Sequence, residues 1–322
     1  MRPLPLNLLT LYADLDQSST QQAASISRRR EGGKIRVYAS IKAGATRRQT
    51  YIGTEGEPKT DAAAAAYRRA AAEARLRRRT VSLLKRGGVP APDIQTGRLL
   101  EALAEAGLFE RGVVLIGTVA FQLYSPIVGA TLASSALMTQ DADFALTRLA
   151  APKFVGEDFG AVLKRADPTF EPVFRNEDRL PKQFRSTRGF SVDIVTAKGR
   201  SPNVLQVKGL NCAATPLRFL DFLLEDTMTA LALYGAGVRV RLPDPARFAV
   251  HKLILAQARP KYDAKARKDI LQARELIAAL QARDPSSVDD AIELAKARGP
   301  QWRAKLARGL EMASSAPIPD LQ

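Results

Sequence analysis

An aspartate stands at the centre of the run FSVDIV. Asp193 lies between Val192 and Ile194 in a segment that otherwise reads as a buried β-strand. A carboxylate is costly to bury alone, so a fold that keeps this strand in its core must bring Asp193 a compensating partner. Upstream, Asp141-Ala142-Asp143 sits among apolar residues in LMTQDADFAL. Side chains two apart on a strand share a face, which puts the Asp141 and Asp143 carboxylates side by side. Two such groups repel, and one is held protonated, unless a cation sits between them. If the two strands are neighbours, all three carboxylates converge on one spot.

Three converging carboxylates suit a hard divalent cation. The chain has one histidine and one cysteine, too few for a structural zinc site, which leaves oxygen ligation and Mg2+ or Mn2+. In such a centre Asp141 and Asp143 bridge metals and hold a triphosphate. Asp193 binds the catalytic metal and helps take a proton from an incoming hydroxyl, the pattern of an in-line phosphoryl displacement. Before the aspartates, Gly117-Thr118 follows the strand VVLI and opens a helix. Gly117 permits close backbone approach, and the Thr118 hydroxyl and nearby N–H groups can hold a phosphate. Taken singly these signals are weak: paired aspartates also cap turns or line solvated strand faces. Their order along the chain is what carries weight.

The 322 residues predict more than one domain. Residues 1–90 read as a basic arm or short helix ending in Arg28-Arg29-Arg30, then a β-hairpin (KIRVYASIKAG and RRQTYIGTEG) turning near Gly44. A long Ala- and Arg-rich helix follows, capped by Thr60 or Asp61 and stopped at Gly87-Gly88. Residues 91–243 mix strands and helices, and residues 244–322 are helical. The result is an α+β core with a C-terminal helical domain and an N-terminal hairpin-helix module.

The formal net charge is +16, from 49 Lys and Arg against 33 Asp and Glu. Residues 28–86 hold 17 Lys and Arg against 5 Asp and Glu, so most of the excess sits there. That favours a polyanionic partner. The basic helix is either a solvated face or part of a nucleic-acid clamp with Tyr38 and Tyr51 as stacking surfaces. The apolar start of the chain meets Asp14 and Asp16 early and does not read as a signal peptide. No run of ~18 apolar residues predicts a membrane helix. A single cysteine, Cys212, excludes an internal disulfide framework and fits a cytoplasmic setting; it reads as a small buried hydrophobe rather than a nucleophile. His251, the single histidine, reads as an interfacial residue and not as a base, and Trp302 as packing for the last helix.

The order of Gly117-Thr118, Asp141-x-Asp143 and Asp193, between roughly Thr96 and Thr196, resembles the DNA polymerase beta-type nucleotidyltransferase superfamily. Thr118 stands where that pattern more usually has serine, and the stretch from Gly117 to Asp141 is longer than in minimal members, so an insertion must loop out. The segment FAVHKLILAQARPKYDAKARKDILQARELI is similar to the helical part of the abortive-infection toxin branch. The resemblance implies a polymerase beta-like fold, magnesium with a nucleoside triphosphate (NTP) as substrate, and roles for Lys252 at a phosphate or as proton donor and for Asp269 in orienting it. On residue pattern alone, Lys252 can equally be a surface lysine and Asp269 the helix partner of Lys265. The implied acceptor is open: RNA, with a tRNA 3′ end as one form, a protein hydroxyl or a small molecule. By analogy with toxins, an antitoxin protein is an expected partner. The alternative is an inactive nucleotidyltransferase fold that binds nucleic acid without transfer.

Overall fold

The computed structural model describes residues 2–18, 24–43, 46–136, 140–146, 154, 158–175, 178–199, 204–260 and 263–315. Strand β1 (Arg2–Pro3) and helix α1 (Leu6–Gln17) come first, followed by β2 (Ser25–Glu31), β3 (Lys34–Ala43) and β4 (Thr46–Thr54). These three strands form an antiparallel sheet in the order β2-β3-β4, and β4 bulges at Ile52, opposite the step from Val37 to Tyr38. Of the two readings, arm or short helix, the structure has the helix, over Leu6–Gln17, while Arg28–Arg30, read as its basic end, lie within a strand that pairs with β3 from Ser25 to Glu31. The turn expected at Gly44 lies outside the described residues.

Helix α2 (Pro58–Arg86) is built from strong helix formers. It starts earlier than expected. Pro58 occupies the first turn, where a missing N–H costs nothing, and Thr60 is already inside, donating to Glu57 Oε2 at 3.1 Å instead of capping. The module is bound to the rest of the molecule by buried polar contacts. The Tyr12 hydroxyl donates to Leu231 O (3.1 Å) and accepts from Leu231 N (3.0 Å). Arg77, almost fully buried on α2, donates to Leu15 O (2.7 Å) and Ala236 O (2.9 Å). Leu4, Leu15, Leu84 and Leu233 pack around these contacts.

Helix α3 (Ile94–Glu105) is capped by Asp93, whose carboxylate accepts from Gln95 N and Thr96 N. Next come β5 (Val113–Ile116), α4 (Gly117–Gln122), α5 (Ser125–Val128) and β6 (Ala130–Thr131). The described part of the stretch expected to loop out before Asp141 holds regular elements: β6 pairs with β1, and a 3-10 turn over Ala133–Ala136 follows. Then come β7 (Asp141–Leu146), α6 (Phe159–Ala166), β8 (Glu171–Val173), β9 (Gln183–Arg185), β10 (Ser191–Ala197), β11 (Leu205–Val207) and β12 (Cys212–Leu217). After α7 (Leu220–Leu224), β13 (Thr227–Ala232) and β14 (Val238–Pro243) make an antiparallel pair beside β5.

The central sheet is mixed, in the order β11-β12-β10-β7-β5, with β9 beside β10 and β8 beside β9. β7, β10 and β12 run parallel and β5 is antiparallel to β7. Phe144 on β7 is fully buried, its ring 6.4 Å from Phe109 and 6.5 Å from Phe159.

Four helices finish the chain: α8 (Pro245–Ala256), α9 (Ala264–Gln281), α10 (Pro285–Ala297) and α11 (Pro300–Ser315). α8 is apolar nearly all round, the pattern of a helix surrounded by protein. It packs against α7, α9, α10 and α11, and ten of its twelve residues are buried. One hydrophobic cluster runs from α3 through the sheet into these helices. No helix among the described residues is long and apolar enough to cross a membrane.

Candidate active site

The parallel pairing of β7 with β10 sets the acidic side of the site. Asp143 is the register partner of Asp193, and Asp141 of Ser191. On the other side of β7, Asp143 is opposite Ile116, the last residue of β5. The chain turns there through Gly117, whose φ of 72° is left-handed. A Cβ on Gly117 would run into Asp143 Oδ2. The glycine therefore serves both the turn and the room beside the carboxylate.

Gly117, Thr118, Asp141, Asp143, Asp193, Lys252 and Asp269 all line one cavity of about 590 Å³, a size that suits a nucleotide-sized ligand. Carboxylates from the sheet form one wall. Facing them are Lys252 of α8, Arg259 just beyond it, and Lys265 and Lys268 of α9. Arg218 and Lys305 extend the basic lining, and Phe219, Leu220 and Phe248 supply an apolar part.

The charges perturb one another. Asp143 is half-buried and lines the cavity, and its carboxyl is pushed up to about 6, first by burial and then by the Asp141 and Asp193 carboxylates; Lys252 and Lys265 pull the other way. Burial also raises Asp193, opposed by its hydrogen bond from Gln183 Nε2 at 2.9 Å and helped by Asp141. Burial lowers Lys268, with Lys252 adding repulsion. These are the shifts expected of carboxylates and amines gathered at close quarters in a largely buried site.

Lys252 is not a surface lysine. Its Nζ is 2.6 Å from Asp269 Oδ1, and both side chains are buried. Asp269 does not pair with Lys265 as helix spacing allowed; its second oxygen accepts from Arg259 Nε at 2.7 Å. Beside this triad, His251 is held neutral, its pKa lowered to about 3 by burial and the Lys252 charge, with Nδ1 lacking a hydrogen-bond partner among the described residues. Cys212 is buried and its thiol is pushed up to about 12, chiefly by burial, which makes it a poor nucleophile. Trp302 packs on Phe219 and Phe222, with ring centroids 4.9 and 5.5 Å away.

Sequence patterning did not single out Gln183, Arg218, Arg259 or Lys305. Gln183 reaches Asp193 because β9 pairs antiparallel with β10, and nothing local in its sequence marks it. Arg259 follows α8 and meets Asp269 of α9 only because those two helices pack together.

The donors lining the acidic wall are oxygens, which suits a hard divalent cation. Among the described residues, no three His, Cys, Asp or Glu side chains could hold a metal ion as they stand. The carboxylates share register and repulsion rather than a finished coordination shell.

A family model described as Nucleotidyltransferase matches residues 94–296, well over half of the chain. The match spans the cavity except for the part contributed by α11 and leaves the N-terminal sheet and α2 outside. No curated protein and no solved structure matches the chain.

Proposed function

The chain belongs to a nucleotidyltransferase family, and from that premise we propose that the cavity moves a nucleoside monophosphate from an NTP to a hydroxyl acceptor. The carrying observation is the opposition, across one cavity, of Asp141, Asp143 and Asp193 to Lys252, Arg259, Lys265 and Lys268. A polyphosphate with its cation would satisfy both walls at once.

Asp141, Asp143 and Asp193 would hold the cation, magnesium or manganese. Bound there, it would neutralise the carboxylates and polarise the phosphoryl group. Asp193, oriented by Gln183, would accept the proton of the attacking hydroxyl. Lys252 would meet the phosphates from a fixed position, because Asp269 holds its amine and Arg259 holds Asp269 from the other side. Gly117 and Thr118 border the same space, and Gly117 leaves room for the Asp143 carboxylate beside it. Leu217, Phe219 and Leu255 offer an apolar bed for the base.

The basic charge of the chain favours RNA as acceptor, in a cytoplasmic setting. The likeness of α8 and α9 to the toxin branch of the polymerase beta-type superfamily supports the same choice and an antitoxin protein as partner. The test is transfer of label from each of the four α-labelled triphosphates, with magnesium, to cellular RNA and protein. Wild-type labelling that disappears in Asp143→Asn and Asp193→Asn supports the transferase. Nucleotide-independent RNA binding with no labelling under any triphosphate would favour the inactive-module alternative.

A further inference from the structure

The N-terminal sheet has two unlike faces. Ile35, Val37, Ala39 and Ile41 alternate on one, where Val37 and Ala39 are fully buried. α2 packs there, and a Cβ on Gly53 of β4 would collide with Thr60 of α2. The other face carries Arg29, Arg36, Tyr38 and Tyr51. The Tyr38 and Tyr51 rings are 5.5 Å apart, and Tyr51 is 49% exposed. The Arg29 guanidinium lies 5.3 Å from the centre of the Tyr38 ring and that of Arg36 5.8 Å from Tyr51. Arg29 and Ser27 are held in place through Gln49, by bonds of 2.9 and 3.0 Å.

Ser40, two residues beyond Tyr38 on β3, borders a recess of about 510 Å³ between the strands and α2. Arg47 of β4 and Arg68, Arg75 and Arg78 of α2 line it, and no described carboxylate forms an ion pair with any of the four. Twelve of the sixteen net positive charges fall within residues 28–86.

We propose that this module binds single-stranded RNA, with unpaired bases on the Tyr38–Tyr51 and guanidinium surfaces and the phosphate backbone passing round the sheet near Ser40 into the four-arginine recess beside α2. Paired tyrosine rings suit unpaired bases, whose flat faces are free to stack. A duplex hides those faces. An acidic protein would meet the arginines but has no use for the rings. The hydroxyls of Ser27 and Ser40 share the face of the rings and offer hydrogen-bonding groups for ribose 2′-hydroxyls, which favours RNA over DNA. The face lies outside the span shared with the nucleotidyltransferase family, and the inference does not rest on the transferase proposal.

The experiment is fluorescence anisotropy of the full chain with a ~16-nucleotide single-stranded RNA, the matching duplex RNA and the single-stranded DNA of the same sequence. It is run in chelator without triphosphate, so that its result is independent of transfer. Tyr38→Ala/Tyr51→Ala should weaken the single-stranded RNA complex at least about tenfold, and Tyr38→Phe/Tyr51→Phe should restore it. Arg68→Gln/Arg75→Gln/Arg78→Gln, all on the helix surface, should weaken binding and lower the slope of log affinity against log salt by about 2. Binding unchanged in the alanine pair or in the arginine triple overturns the proposal. So does duplex RNA or single-stranded DNA bound as tightly as single-stranded RNA.

Discussion

Asp143 on β7 and Asp193 on β10 are direct register partners in a parallel strand pair, although they lie far apart in the chain. Asp143 carries the larger consequence, because its carboxyl is raised from 3.8 to about 6. A carboxyl whose folded pKa exceeds its unfolded one favours the folded state only while protonated. Stability from this group is therefore highest below pH 4 and is lost as pH rises through 6. At pH 7 without divalent cation the ionised group costs the fold about 1–3 kcal/mol, allowing for its opening to the cavity. Asp143→Asn should raise the melting temperature in chelator at pH 7. Magnesium should raise that of the wild type and leave the variant unmoved. A variant that melts lower than wild type in chelator would contradict the electrostatic account.

The Lys252–Asp269–Arg259 triad predicts an order of damage. Asp269→Ala leaves two cations facing each other without their shared carboxylate, a loss of about 3–5 kcal/mol. Lys252→Met leaves Asp269 paired with Arg259 at 2.7 Å and should cost less. Urea midpoints rank the two; the reverse ranking would mean that Lys252 contributes mainly through packing. Both variants should lose transfer, since in each the amine is displaced or absent.

Gly117→Ala should disable the site while leaving the fold cooperative. The left-handed φ of 72° costs an alanine about 1–3 kcal/mol, and the new Cβ would displace the Asp143 carboxylate. The expected result is a modest drop in melting temperature, loss of transfer, and loss of the magnesium-induced rise in melting. Retained activity would show that Asp143 can work from another position.

His251 predicts the opposite pH sign from Asp143. Its folded pKa, about 3, lies below the unfolded 6.5. The unfolded chain binds the extra proton, so stability from this group is present above pH 6.5 and is lost as pH falls towards 3. The full window is worth on the order of 4 kcal/mol. His251→Gln should flatten the acid limb of a stability-against-pH curve and leave the neutral limb alone. An acid limb identical to that of wild type would assign acid unfolding to other groups.

Local pattern carried the acidic motif, because strand alternation is a short-range property: Asp141 and Asp143 had to share a face wherever their strand lay, and Asp193 had to sit amid apolar neighbours. The long basic helix and the helical C-terminal third followed from composition and periodicity for the same reason. Strand β2 was hidden because SISRRRE has little apolar alternation; it is a strand because β3 supplies its hydrogen-bond partners. Only tertiary structure decided that β7 and β10 are neighbours in the register that pairs Asp143 with Asp193. Only the packing of α8 on α9 took Asp269 from a helix neighbour such as Lys265 to Lys252 and Arg259. Pairing of strands and docking of helices depend on contacts between distant segments, and a chain records those contacts nowhere in its local spacing.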